Sequence, residues 1–317
     1  MTKPFRFLAS IPPFTDKRSW RDQLRKVEDL GFSTLAVSDH FTGGSVYEPT
    51  VAMMAAADAT DTLRVACLVH GNDYRHPVML HKAAANIDVL SGGRLELGVG
   101  AGWMTTDYDA AGMPYDRPGE RVSRFEESVQ IIKGLFGDSP VTYDGRYYKI
   151  TALDGLPKPA QKPHPPILIG GGGRRVLSIA AREADIVGVN PNLKEGAVTP
   201  AAALDMTAEK VDEKVGWVRK GAADAGRDAA DLEFEINIFM CRITDSRDEA
   251  RAAAENVASM FSAEASMVEQ SPAILLGSLE QCIETLQERR ERYGINYVGL
   301  GGDVDMVAPL VAMLAGT

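Results

Sequence analysis

From Phe5 onward the chain repeats one pattern eight times: a short apolar run of strand length, then a longer stretch whose apolar residues recur at helical spacing. Strands are expected at 5–10, 34–38, 63–68, 94–99, 166–169, 185–189, 232–238 and 295–300. The intervening helices are expected at 19–30, 49–60, 77–90, 118–136, 174–183, 207–225, 246–261 and 279–293, with a terminal helix from about Val304. Gly31 after the first helix is a typical stop signal. Eight strand and helix units are the count of a (β/α)8 TIM barrel, an α/β fold that needs about 250 residues before insertions. The chain has 317, so the surplus is assigned to inserted loops near 104–116, 139–165, 190–206 and 262–277. Within the second, VTYDGRYYKI reads as a small hairpin turning at Asp144 and Gly145. No tandem repeat, low-complexity tract or linker is visible, so 1–317 reads as a single domain. A parallel series alone does not prove closure, and a doubly wound open sheet is the alternative.

Composition removes several function classes. A net charge of −10, from 44 acidic and 34 basic residues, opposes nucleic-acid binding, which needs a basic footprint. Cys67, Cys241 and Cys282 are odd in number and far apart, indicating neither a disulfide framework nor a zinc site. The leader MTKPFRF lacks an apolar core, and no run approaches about 18 uncharged apolar residues, so a cytoplasmic protein without membrane contact is expected. His70, His76 and His81 show no i, i+4 pairing and no acidic partner, so no metal is expected. With no G-x-S-x-G elbow, acyl transfer has no support.

In a barrel the residues just past each strand face the ligand. Strand 2 ends in Ser38-Asp39-His40-Phe41, strand 3 in Leu68 to Asp73, strand 4 in Gly100-Ala101-Gly102-Trp103, and strand 5 in Gly170 to Gly173 followed by Arg174 and Arg175. The strand 4 segment RLELGVGAGW invites a dinucleotide reading that fails on spacing. A G-x-G-x-x-G starting at Gly98 needs glycine where Trp103 stands, and an aromatic there points to a ring site or a pocket wall. His40 beside Asp39 places a titratable imidazole near a carboxylate, the pairing that proton transfer near neutral pH requires; a structural histidine tied to loop backbone is the alternative. Four glycines opening a helix offer free amides and a positive dipole end to an anion, with Arg174 and Arg175 adding charge; a plain flexible turn is the alternative.

These turns, in this order, resemble the bacterial luciferase-like monooxygenase superfamily, and specifically its branch using the deazaflavin coenzyme F420. The most specific parts are AVSDHF at 36–41, the run from Asn72 to Trp103, RPGERVSRFEESVQII at 117–132, and PILIGGGGRRVLSIAAREADIVGVN at 166–190. The resemblance implies an oxidoreductase with the deazaflavin ring across the barrel mouth, backed by a bulge near Leu68 and Val69 that contains a cis peptide not involving proline. The candidate cofactor residues, from the strand-end turns and the resemblance together, are Asp39, His40, Leu68, Val69, Gly71, Asn72, Gly100, Gly102, Gly171, Gly172, Gly173, Arg174 and Asn190. Of these, Asp39 and His40 would line the ring, and Gly171, Gly172 and Asn190 would lie near the tail and its phosphate. His40 is the candidate catalytic residue.

Trp103 stands about where the sugar-phosphate dehydrogenases of the superfamily carry a glutamate, and their phosphate-binding lysines have no obvious match. A flatter or more apolar small molecule near Trp103 is therefore the expected substrate. FMN with oxygen chemistry is the alternative cofactor reading, a non-catalytic flavin-binding protein the second, and a homodimer is the assembly the resemblance implies.

Overall fold

The computed structural model describes residues 2–10, 16–261 and 264–317. Eight parallel strands form its centre: β1 (Arg6–Ala9), β2 (Thr34–Val37), β3 (Arg64–Cys67), β4 (Leu95–Gly100), β5 (Ile167–Gly171), β6 (Ile186–Val189), β7 (Glu233–Ile238) and β8 (Ile295–Leu300). Each pairs with its successor, and β8 returns to β1 through Arg6 opposite Tyr297 and Ala9 opposite Leu300. The sheet is therefore closed, which decides for the barrel over the open sheet.

Period-two alternation of the strands divides their side chains between two cores. Phe7 and Ala9 of β1 join the large cluster shared with the helices, whereas Leu8 between them packs inside the barrel with Ala36, Leu168, Ile186 and Tyr297. The surrounding helices start where sequence signals start them. Proline opens those at Pro49–Ala59, Pro77–Leu90 and Pro118–Phe136, Asp16 accepts the Arg18 and Ser19 amides at Lys17–Asp29, and Ser278 with Gln281 forms a capping box at Leu279–Tyr293. Among the described residues no helix is long and apolar enough to cross a membrane.

The strand starts mark the lower end of the barrel, which charged groups close. Glu96 accepts from Arg6, from Arg64 Nε at 2.7 Å and from the Tyr297 hydroxyl at 2.6 Å. Glu233 accepts from Arg6 at 2.7 Å and from Asn296 at 2.7 Å.

The insertions carry more structure than the sequence suggests. The segment 104–116 contains the helix Thr105–Ala111, 190–206 contains the short helix Pro200–Leu204, and 139–165 carries the expected hairpin, Val141–Asp144 against Lys149–Leu153. The expected loop at 262–277 is corrected: residues Ala265–Glu269 are helical and Ile274–Gly277 form a strand parallel to Met240–Ile243. Residues 262 and 263 lie outside the described ones. A four-residue strand has too little periodicity to be read alone, and its partner is 34 residues earlier in register. With Arg247–Phe261 this pair builds a satellite core of Ala254, Val257, Ala258 and Val268, against which Met240 and Ile274 pack.

The Leu68–Val69 peptide is cis, at the place the resemblance implies. The chain then pairs again as His70–Gly71 beside Val99 and Gly100 of β4. Gly98 allows this close approach, because a Cβ there would lie 1.9 Å from the Cys67 carbonyl oxygen.

Candidate functional site

The upper ends of the strands enclose a cavity of about 670 Å³. Its walls bring together Asp39 and His40, the bulge residues Leu68, Val69 and Gly71, the segment Gly100–Trp103, the turn Gly170–Gly173 and Asn190. Two predicted cofactor residues stand apart from it. Asn72 is buried, with its side-chain amide 3.3 Å from the Tyr148 hydroxyl, and Arg174 is outside the wall, where its neighbour Arg175 takes the place expected of it.

Asp39 and His40 are neighbours in sequence but not partners. Each finds its own network. Asp39 turns inward, accepting the Gly71 amide at 3.0 Å and two bonds from the Arg75 guanidinium, with His70 Nδ1 at 3.6 Å. Burial alone would raise its carboxyl, but His70 and Arg75 outweigh burial and hold it down to about 2. Asp39 is thus a permanently charged brace for the bulge.

The carboxylate that His40 meets is Asp107, from the helix Thr105–Ala111, with Nδ1 and Oδ2 2.6 Å apart. Asp107 is fully buried and also accepts from the Phe41 amide, the Thr42 amide and hydroxyl, and the Tyr74 hydroxyl at 3.2 Å. Burial pushes this carboxyl up, yet the Thr42 and His40 hydrogen bonds and the Phe41 amide prevail and keep it below the ordinary carboxylate range. An anchored carboxylate at Nδ1 favours the tautomer with its proton there, leaving Nε2 for proton exchange. The ring stands edge-on to Trp103, centroids 5.4 Å apart.

Opposite chemistry governs the glycine turn. The helix Arg174–Glu183 begins at Gly173 with no side-chain cap, and its first helical bond runs from the Leu177 amide to the Gly173 carbonyl. The preceding amides have no helical acceptor, so this end of the cavity presents N–H groups and a positive dipole end. Gly172 is required, since a Cβ there would lie 2.2 Å from the Pro191 backbone. Lys214, almost wholly buried, fixes the turn from behind: its Nζ donates to Gly172 O at 2.9 Å, Asn190 O at 3.0 Å and Asp205 at 2.5 Å. Burial pulls its ammonium below the ordinary lysine range while Asp205 opposes the shift. Arg175 spends donors on Gly119 O and Ser123, and the exposed Lys194 is elsewhere among the residues lining the cavity.

Sequence reasoning missed Asp107, Tyr74, Arg75 and Lys214. Asp107 was recoverable in principle, as the carboxylate in the first turn of the helix that follows the strand 4 glycines. Lys214 had no signal at all, since it sits on the helix Ala208–Asp224 among several charged residues.

A family model described as luciferase-like monooxygenase matches residues 5–296. The FMNH2-dependent dimethylsulfone monooxygenase of Pseudomonas putida is 27% identical over 270 residues, covering 80% of this chain and 69% of that protein. The F420-dependent glucose-6-phosphate dehydrogenase of Amycolatopsis mediterranei is 28% identical over 234 residues, covering 72% of this chain and 65% of that one. The chain thus spans less than two thirds of the latter relative's length. Among solved structures, an F420-dependent secondary alcohol dehydrogenase in complex with an F420–acetone adduct superposes with a TM-score of 0.77 at 19% identity, covering 99% of this chain and 98% of that one. At that identity the likeness establishes the fold.

Proposed function

The chain belongs to the luciferase-like monooxygenase family, whose members include F420-dependent and FMNH2-dependent enzymes, and from that premise we propose that it is an F420-dependent oxidoreductase acting on a small organic substrate. The observation that carries this reading is one cavity into which three features open together: the apolar bulge at Leu68 and Val69, the His40–Asp107 pair, and the uncapped glycine turn. Its volume lies within the range of ordinary cofactor and ligand sites.

The residues present fit a flat ring with an anionic tail. Leu68 and Val69 offer the apolar wall, and the glycines at 100 and 170 let Val69 pack closely against the strand ends. The amides at the start of the Arg174–Glu183 helix offer a place for a phosphate or carboxylate. When bound, the deazaflavin would supply hydride exchange with a substrate carbon. This chain's residues would do the rest. His40 Nε2 would take or give the accompanying proton, Asp107 would orient the imidazole through Nδ1, and Trp103 would exclude water on the substrate side. With Trp103 in place of an acidic residue, the site suits an uncharged, flat or apolar substrate better than a sugar phosphate.

A second reading has its own support: the likeness to the dimethylsulfone monooxygenase covers 80% of the chain, which favours reduced FMN and oxygen. Parallel titrations separate the two. On the F420 reading the protein quenches F420 fluorescence at stoichiometric concentration and binds FMN weakly. Tight FMN binding with negligible F420 binding would transfer the proposal to the monooxygenase, and binding of either without turnover would leave a flavin-binding protein.

A further inference from the structure

The part of the cavity farthest along the chain from the predicted cofactor residues is built by the segments between β7 and β8, joined by Met206 at the end of the 190–206 insertion. Met206, Phe239, Met240, Val257, Ala273 and Ile274 form a continuous stretch of its wall. They meet by construction: Met240 and Ile274 are opposite each other in the small parallel sheet, the Phe239 amide donates to Ala273 O at 2.9 Å, and Ser271 Oγ donates to Met206 O at 2.7 Å. Val257, Met240 and Ile274 belong at once to the cavity wall and to the satellite core, so the core of the insertion opens into the barrel mouth. None of the six carries a charge. The one hydroxyl beside them, that of Ser271, is committed to the Met206 carbonyl.

The wall is also held rigid from outside. Arg289, buried, donates to the carbonyls of Ser271 at 3.0 Å, Pro272 at 3.0 Å and Ile274 at 2.7 Å. Backbone groups that would otherwise need water or ligand are thereby satisfied, which lets the wall stay apolar on its cavity side. At its rim Phe239 is 60% exposed, a large aromatic left uncovered beside a cavity. Exposed apolar surface continuous with a concave site marks ligand contact.

We propose that this wall is a substrate arm that takes the uncharged hydrocarbon portion of the substrate, so that the enzyme acts on molecules with an aliphatic or aromatic body and a reacting carbon held near His40 and Trp103. The inference rests on the proposed function above for its reaction, and on the wall alone for its substrate class. A buried charge would find no counter-ion among the six residues, so charged bodies are rejected here.

The test is calorimetric titration with straight-chain primary alcohols from butanol to decanol, on the protein alone and on the protein saturated with F420. Affinity should rise about three- to fourfold with each added methylene until the arm is full. Phe239→Ala, at an exposed position with no folding burden, should weaken decanol about three- to tenfold and leave butanol unchanged. 10-Amino-1-decanol, which carries an ammonium on the far end of the same chain, should bind at least tenfold more weakly than decanol. A flat chain-length series, or equal binding of the amino alcohol, overturns the arm. Because the series is also run without coenzyme, failure to bind F420 would sink the proposed function while the alcohols still report on the arm. Ile274→Asn, checked for an unchanged thermal transition, supplies a second variant and should flatten the series.

Discussion

The two ends of the barrel use the same residue types to opposite effect. At the lower end, Arg6, Arg64, Glu96, Glu233, Tyr297 and Asn296 satisfy one another, and the side chain of Glu96 is 1% exposed with a donor on each oxygen. At the upper end, Asp39 and Asp107 are equally enclosed, but each fixes a group that faces the cavity: the bulge in one case, His40 in the other. Partnership alone therefore does not distinguish structure from function. What distinguishes them is whether the network ends on itself or on an atom with free valence directed at a ligand space.

Between these ends lies Glu235 on β7, which belongs to neither. It is fully buried, neither carboxylate oxygen has a hydrogen-bond partner among the described residues, and burial together with Glu233 pushes it up to about 8. Near neutral pH it is therefore held as the acid.

The comparison can be broken most directly at His40. His40→Ala should lower turnover about 10² to 10⁴-fold with little loss of coenzyme affinity, since acid–base assistance is of that size. Asp107→Asn, which removes the carboxylate that orients the ring at Nδ1, should also slow turnover, with a smaller effect on coenzyme affinity than on kcat. Parental kcat in His40→Ala with an authentic substrate would reduce the residue to packing against Trp103.

At the lower end the expected loss is in stability instead. Glu96→Ala leaves the Arg6 and Arg64 guanidinium groups facing each other without their shared carboxylate, a change worth about 3 to 5 kcal/mol for a broken buried pair. Denaturant unfolding should register it, while the folded fraction binds F420 as the parent does. A matching drop in coenzyme affinity would show that the two ends are coupled.

Glu235 sharpens the division through pH. Unfolded, its carboxyl ionises near the ordinary glutamate value of 4.5; folded, it does so near 8. Between those limits the unfolded chain has released a proton that the folded chain retains, so rising pH favours unfolding by roughly 1.4 kcal/mol per pH unit from this group. Glu235→Gln should remove that slope, stabilising the protein at pH 8 far more than at pH 5. Thermal melts across the range check it, and a pH-independent difference between variant and parent would mean that the carboxyl is ionised in the fold.

The smallest effect concerns the glycine turn. Arg175→Ala should weaken F420 binding by about tenfold and up to a hundredfold if its guanidinium is released to the coenzyme tail, and Arg174→Ala should leave it unchanged. Equal behaviour of the two variants would make the turn a glycine corner without a charge contact.

Much of this was legible without coordinates. The helices Pro77–Leu90, Pro118–Phe136, Arg174–Glu183 and Leu279–Tyr293 lie where proline, capping residues and period predict them, and strand boundaries moved by no more than two residues. Locating the ligand end required only the turns after strands 2 to 5. The pair at 240–243 and 274–277 was not legible, because each strand is four residues long and neither carries its partner's position in its own pattern.

Local sequence determined the order of elements, their type and the glycines where backbones approach, because hydrogen bonding along a segment and the reach of a side chain depend on near neighbours. Tertiary structure alone decided which carboxylate serves His40, which arginine lines the cavity, and what stands behind the turn. Asp107 is 67 residues from His40, and Lys214 is 42 from Gly172. Pairings at that range are set by barrel closure and the strand register, which bring separate loops to one mouth, and no neighbour relation along the chain encodes them. Asp39, adjacent in sequence to His40, is taken instead by Arg75 and the Gly71 amide of the bulge.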